Sequence, residues 1–345
     1  MLKMISRLQI VLRRTWLPAF VLGMVLWGMT GARAQGFVHP AWGAPVPPRP
    51  ESVELARTVP LADMHMHYYA ERRGWLPEDI VRLMDRNHVR WGGAVGDYHP
   101  DLQALLGPRY IPAIGQLEFT QALAAGGERA LQDPTHPIFV RFFSEAEALL
   151  ASGKVRGFGE LHISNLSGPR PANAFERTIP MDSPVVRRIY EIANAHGAFV
   201  QIHTNKDPAT IDDILRLAAA YPRTTTIVSH CLPRGLPADM RRLFLGAPNV
   251  MCELSGGGFT HGLERTFSRE GIRSGWLALV EEFPDRVMFG TDPCCGLLRQ
   301  YDTIVEAMRT KVLAAMRPQT LEMVAYRNAQ RLLGLPDIAS MPGPR

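Results

Sequence analysis

Asp63-Met64-His65-Met66-His67 closes a short apolar run, Val59-Pro60-Leu61-Ala62, that reads as a β-strand. Residues i and i+2 of a strand share a face. His65 and His67 therefore present two imidazoles side by side, an arrangement that suits a divalent metal such as zinc. Two half-buried surface histidines would satisfy the same pattern. The metal reading gains its weight from Glu160, His203, His230 and Asp292, which fall at the ends of later strand-like runs.

Outward from this stretch, strand-like and helix-like segments alternate. Strands are predicted over Leu61–His67, Arg90–Gly96, Tyr110–Gly115, Val155–His162, Phe199–His203, Thr225–His230, Val250–Leu254 and Arg286–Thr291. The clearest helices between and after them are Pro77–His88, Ser183–His196, Pro208–Ala220, Pro237–Leu245, Gly271–Phe283 and Tyr301–Met316. Pro77, Pro208 and Pro237 suit first-turn positions, and Gly197 suits a C-terminal cap. Several strands are near-continuous apolar runs, as in parallel strands buried on both faces. Eight such strands, most followed by a helix, predict an α/β fold of the (β/α)8 TIM-barrel type. An open doubly wound sheet is the alternative, but no Gly-rich phosphate loop follows the first strand.

The ends of the chain read differently. Lys3, Arg7, Arg13 and Arg14 precede an apolar core, Leu17 to Met29, and Ala32-Arg33-Ala34 makes a small-x-small cleavage site. Residues 1–34 are thus expected to be a signal peptide, its apolar core shorter than the ~20 residues of a spanning helix. Arg13-Arg14-Thr15-Trp16-Leu17 resembles a twin-arginine signal, and an ordinary Sec signal fits as well. The expected location is periplasmic or secreted. Residues 35–58 form a proline-rich lead-in, extended on the surface or disordered. The barrel is placed over 59–338 and a flexible tail over 339–345.

The net charge of +5 arises from the first segment, whose 5 basic residues face no acid. Without it, 33 basic residues balance 33 acidic ones. A neutral chain gives no electrostatic case for nucleic acid or an anionic membrane, so the expected partner is a small-molecule substrate. Oligomeric state is open from sequence. The 311 residues after the cleavage site fall in the size range of one α/β barrel.

In such a barrel the site forms where strands end and loops begin. Asp63, His65, His67, Glu160, His203, His230 and Asp292 all fall there, and burying them without partners would be costly. Together with their surroundings these residues resemble the amidohydrolase superfamily, in its amidohydrolase-related (type 2) branch. The matching pieces are Asp63-Met64-His65-Met66-His67, Gly157-Phe158-Gly159-Glu160, Gln201-Ile202-His203, Val228-Ser229-His230-Cys231, Phe289-Gly290-Thr291-Asp292-Pro293 and the closing Asn328 to Leu335.

The resemblance implies that His65, His67 and Asp292 hold one metal. Glu160 stands where relatives place a carboxylated lysine or a glutamate that can bridge two metals. His203 and His230 would bind a second metal. In a one-metal site His203 completes the sphere and His230 orients or polarises the substrate. Asp63 is expected to support the ligands or cap the strand rather than bind metal. His162, two residues after Glu160, either lines the substrate pocket or is a plain loop residue. A salt bridge to Arg156 is the competing reading for Glu160. His39, His88, His99, His136, His196 and His261 are taken as surface or structural. Tyr68, Tyr69, Phe158, Arg234 and Lys206 are pocket candidates by location.

The expected cofactor is one or two divalent metal ions per chain, zinc foremost. A divalent metal lowers the pKa of bound water from near 15.7 toward roughly 7. Asp292 can accept the water's proton and pass it to the leaving group, while the metal or His230 stabilises the developing oxyanion. The leading expectation is therefore an exported hydrolase of an amide, ester or related bond. The alternatives are a metal-dependent non-oxidative decarboxylase of the same superfamily, a TatD-type metal-dependent nuclease, and a non-catalytic metal-binding protein. All four cysteines, Cys231, Cys252, Cys294 and Cys295, lie late in the chain near the same predicted rim. A disulfide from Cys231 to Cys294 or Cys295, a soft metal ligand and plain buried thiols are all compatible with that placement.

Overall fold

Parallel pairing organises the computed structural model, which describes residues 39–68, 75–165, 176–207, 209–256, 259, 266–293 and 298–340. β1 (Leu61–Asp63) pairs with β2 (Val89–Gly93), and β2 pairs with β3. β3 comprises Tyr110–Ile111 and Ala113–Gly115, interrupted at Pro112, which has no N–H to give the ladder. β4 (Gly157–His162), β5 (Phe199–His203), β6 (Thr225–Val228), β7 (Val250–Ser255) and β8 (Val287–Gly290) continue in chain order. The two ends then meet. The N–H of Met64 donates to the carbonyl of Phe289 at 3.0 Å, and that of Asp292 to the carbonyl of His65 at 2.8 Å. The eight strands thereby close into the expected (β/α)8 barrel.

Strand composition explains its stability. Every residue of β7 and β8 is buried. Helices cover the outside, as parallel strands require. Proline occupies the first helical position in Pro77–Arg86, Pro184–His196 and Pro237–Gly246, and Gly197 ends the second of these with φ 65°. The missing proline N–H is no loss there, because a first-turn N–H has no intrahelical acceptor.

Several expectations need correction. β1 ends at Asp63, β2 at Gly93, β6 at Val228 and β8 at Gly290, so His65, His67, His230 and Asp292 lie on the turns beyond the strands, while Glu160 and His203 lie within β4 and β5. The helix after β5 runs Thr210–Ala220, and Pro208 lies outside the described residues. Two helices not singled out from sequence, Gln116–Ala130 and Pro137–Ala151, fill the connection from β3 to β4. Non-helical angles at Gly126 and Gly127 break the first of them and blur its period.

The lead-in is not simply extended or disordered where it is described. Pro50–Thr58 is a helix with Pro50 at its start and Ser52 and Ala56 turned inward. The Arg49 N–H donates to Ala314 O at 2.7 Å and Ser52 Oγ to Met316 O at 2.6 Å, so this segment is tied to the barrel's last quarter. Nine residues with two buried positions are too few to show a period. At the other end, Ile338–Ser340 forms a 3-10 turn across the start of the expected tail. The expected signal peptide (1–34), Tyr69, His261, Cys294, Cys295 and 341–345 lie outside the described residues. Among the described residues no helix is long and apolar enough to cross a membrane.

Candidate metal centre

β1 delivers the first ligands. Beyond Asp63, Met64 still bonds to Phe289 O and Met66 to Gly93 O, so the chain keeps a strand-like path between β8 and β2. His65 and His67 stay on one side, with their Nε2 atoms 3.1 Å apart. Both rings are buried. Asp63 does not face them. Its Oδ1 accepts from the N–H groups of His65 (3.1 Å) and Thr291 (3.0 Å), and its Oδ2 from Thr291 Oγ1 (2.6 Å) and Tyr301 OH (2.8 Å). It ties β1 to the turn after β8 and fixes the backbone that carries His65 and Asp292.

Glu160, in the second half of β4, sits inside a ring of imidazoles. Gly159 before it is required by space: a Cβ there would lie 2.8 Å from Gln201 Cβ and 2.9 Å from Ala94 O. The two carboxylate oxygens of Glu160 face different neighbours. Oε2 lies 2.9 Å from His162 Nε2, 3.5 Å from His65 Nε2 and 3.8 Å from His67 Nε2. Oε1 lies 2.8 Å from His203 Nδ1 and 3.2 Å from His230 Nε2. Arg156 is exposed, and the ion-pair partners of Glu160 are histidines.

Asp292, two residues past β8, closes the ring. Its Oδ1 is 3.6 Å from His65 Nε2 and 3.5 Å from His67 Nε2, and its Oδ2 is 3.9 Å from His230 Nδ1. Six of the expected residues thus converge: His65, His67, Glu160, His203, His230 and Asp292. Three overlapping triads have donor atoms within 4.8 Å of one another: His65/His67/Glu160, His65/His230/Asp292 and Glu160/His203/His230.

The electrostatics follow from burial and crowding. Burial opposes charge on Glu160, yet His65, His162 and His203 hold its carboxyl well below the usual range. Burial first and the neighbouring His65 second push the His67 imidazole down to about 4. Burial likewise brings His203 down to about 4 against the pull of Glu160. The carboxylates act the other way on the remaining two rings: in spite of burial, Glu253, Glu160 and Asp292 raise His65 well above the ordinary imidazole value, and Glu160 and Asp292 raise His230. Two neutral imidazoles, and two whose protons a cation would displace, facing ionised carboxylates across such short distances are the donor set of a divalent metal.

One residue of the site was not singled out from sequence. Glu253 sits wholly buried on β7, and its Oε1 accepts from His65 Nδ1 at 2.7 Å and from the His230 N–H at 2.9 Å. With Nδ1 donating, His65 turns its Nε2 to the pocket, where a bound metal would take the place of the Nε2 proton, the arrangement that carboxylates enforce on metal-binding histidines. Ser255 Oγ donates to the other oxygen of Glu253 at 2.6 Å. Gly290 makes room for this contact, since a Cβ there would fall 2.5 Å from Glu253 Oε2 and 2.9 Å from His65 Cβ. The sequence signal was a lone carboxylate in the apolar run Val250 to Leu254, which burial obliges to find partners.

Other expectations resolve as follows. Cys231 is disulfide-bonded to Cys252, not to Cys294 or Cys295. The turn after β6 places Cys231 over β7, so the neighbouring strand, not the following loop, supplies its partner. Phe158 belongs to the core, and Lys206 pairs with Asp239 at 2.7 Å. Tyr68 packs edge-on against His99. His39 and His136 cap helical turns.

A closed parallel barrel carrying a buried histidine–carboxylate ring at the C-terminal ends of its strands defines a barrel metalloprotein. The chain belongs to the amidohydrolase family, whose model matches residues 62–335. No curated protein matches it. Similar solved structures include a putative 2-pyrone-4,6-dicarboxylic acid hydrolase from Pseudomonas putida, at 17% identity and a TM-score of 0.49, covering 80% of this chain and 98% of that one. An amidohydrolase from Burkholderia multivorans with bound zinc matches at 19% identity and a TM-score of 0.44, over 76% of this chain and 89% of its own. A 2,6-dihydroxybenzoate decarboxylase from Rhizobium matches at 17% identity and a TM-score of 0.43, over 84% and 97%. Their reactions, hydrolysis in one and decarboxylation in another, belong to those proteins.

Proposed function

We propose that this protein is an exported metal-dependent hydrolase that cleaves an amide, ester or related bond of a small molecule. The observation that carries the reading is the division of Glu160. One of its oxygens faces His65 and His67, and the other faces His203 and His230. A carboxylate so placed can be shared between two cations, with His65, His67 and Asp292 completing one set and His203 and His230 the other. Bound there, divalent metal, zinc foremost for this nitrogen and oxygen donor set, would supply an acidified water and an electrophile for the substrate carbonyl.

The chain's own residues carry the protons. Asp292 is kept ionised by His65, His230 and His67 in spite of its burial, so its carboxylate can accept a proton from the attacking water and return it to the leaving group. His230 lies between Asp292 and Glu160 and, with His203, would hold the second metal, which would leave stabilisation of the developing oxyanion to the bound metal. His162 bonds to Glu160 at the same rim and is placed to meet the substrate.

Export is supported by the basic–apolar–small-residue pattern of residues 1–34, and the Cys231–Cys252 disulfide suits an oxidising compartment. The test is metal content per chain by elemental analysis, with Glu160→Ala and His203→Ala variants beside the parent. Two metals falling to one or none in the variants supports the shared-carboxylate hydrolase. One metal, lost with His203 but kept without Glu160, would reject it in favour of the decarboxylase reading.

A further inference from the structure

Three consecutive non-glycine residues hold left-handed backbone angles beside the metal centre: His230 (φ 57°), Cys231 (φ 46°) and Leu232 (φ 70°). Side chains disfavour this region, because Cβ crowds the backbone oxygen, and each such residue costs of order 1 kcal/mol or more. A run of three does not persist on local preference. It must be held from outside.

The holding contacts come from two successive residues of β7. The Glu253 carboxylate takes the His230 N–H at 2.9 Å, and Cys252 is covalently joined to Cys231. Successive strand residues point to opposite faces. Glu253 therefore engages the turn from one side of β7 and Cys252 from the other. Both cysteines are buried. A bond so enclosed is a fixed brace and not a surface switch.

We infer that the Cys231–Cys252 disulfide is a positioning element of the metal centre, which keeps the His230 imidazole aimed at Glu160 and His203. The inference rests on the reading of His230 as a ligand of the second metal position. The two are separable because the brace acts on only one of the two positions. His65, His67 and Asp292 are carried by β1 and the turn after β8, and they are fixed through Asp63, Thr291 and Tyr301. The link of that set to β7 is the Glu253 carboxylate, which meets both His65 Nδ1 (2.7 Å) and the His230 N–H (2.9 Å) and does not pass through the sulfurs.

The experiment is a titration of the metal-free protein with cobalt(II), read by its visible absorption bands, which report coordination geometry. The parent is compared with a Cys231→Ala, Cys252→Ala pair. A Cys231→Ala, Cys252→Val pair, which refills the space of the sulfurs, serves if the first does not fold. Circular dichroism and melting temperature establish that the variant used is folded. A fall in melting temperature alone is what any lost disulfide gives, and it does not discriminate.

The expected result is two equivalents in the parent. In the folded variant the first equivalent keeps its affinity and spectrum, while the second binds about 10-fold or more weakly with altered bands. Two equivalents with unchanged affinity and spectra in the folded variant would overturn the brace and leave the proposed hydrolase intact. Fewer than two equivalents in the parent would overturn the two-metal reading, and the brace with it.

Discussion

Glu253 Oε1, on β7, and His65 Nδ1, just past β1, lie 2.7 Å apart, both residues wholly buried. An ionised carboxylate can only accept, so this contact assigns a proton to Nδ1 and directs His65 Nε2 toward Glu160 and Asp292. Replacing Glu253 by Ala frees the ring to rotate and to take the other tautomer. Metal affinity should fall about 10–100-fold, read by competition with a chromophoric chelator. Unchanged affinity in a folded variant would mean that His65 is oriented by other contacts.

Metal removal should abolish activity on any substrate found by screening amides, esters and lactones, and re-addition of zinc should restore it. His67→Ala should lose at least one metal per chain. The imidazole is held down to about 4 by burial and by His65, so it is neutral and ready to ligate at pH 7. An apo protein as active as the reconstituted one would reject the hydrolytic reading.

Asp63 should matter for stability and not for metal chemistry directly. Asp63→Ala would strand the His65 and Thr291 N–H groups, and we expect a loss of about 3–5 kcal/mol in unfolding free energy. Asp63→Asn should cost less. Its remaining oxygen can still take both N–H groups, and the Thr291 and Tyr301 hydroxyls can turn to accept from the amide. Urea denaturation of the two variants checks the order, and equal losses would contradict it.

Glu118, on the helix after β3, gives a pH dependence away from the metal. Burial pushes its carboxyl up to about 7 from an ordinary 4.5, and its Oε2 has no hydrogen-bond partner among the described residues. A raised carboxyl pKa means that the folded state binds the proton more tightly than the unfolded state. This group therefore costs nothing below about pH 4.5, and its penalty grows as pH rises toward 7. Glu118→Gln should leave the melting temperature unchanged at pH 4 and raise it relative to the parent above pH 7. The gain is at most about 3 kcal/mol, reduced by the water that reaches its partly exposed face. A variant difference that stays constant across this range would refute the assignment.

The sequence by itself determined the alternation of eight apolar runs with helices, and hence the barrel, because strand and helix periods are local properties of the chain. It also determined which polar residues end those runs. His65, His67, Glu160, His203, His230 and Asp292 were legible because charged or imidazole groups stood at the mouths of strands otherwise built for burial. The tertiary structure decided what those residues face. That Glu160 splits its two oxygens between two histidine pairs depends on strands 40 or more residues apart in sequence, and no local pattern encodes it. Glu253 became visible as the partner of His65 only when β7 came to lie beside the barrel's closing strands. The pairing of Cys231 with Cys252 was decided the same way. The left-handed turn after β6 carries Cys231 back over β7, and the adjacency of parallel strands, not nearness in sequence to the site, chose its partner.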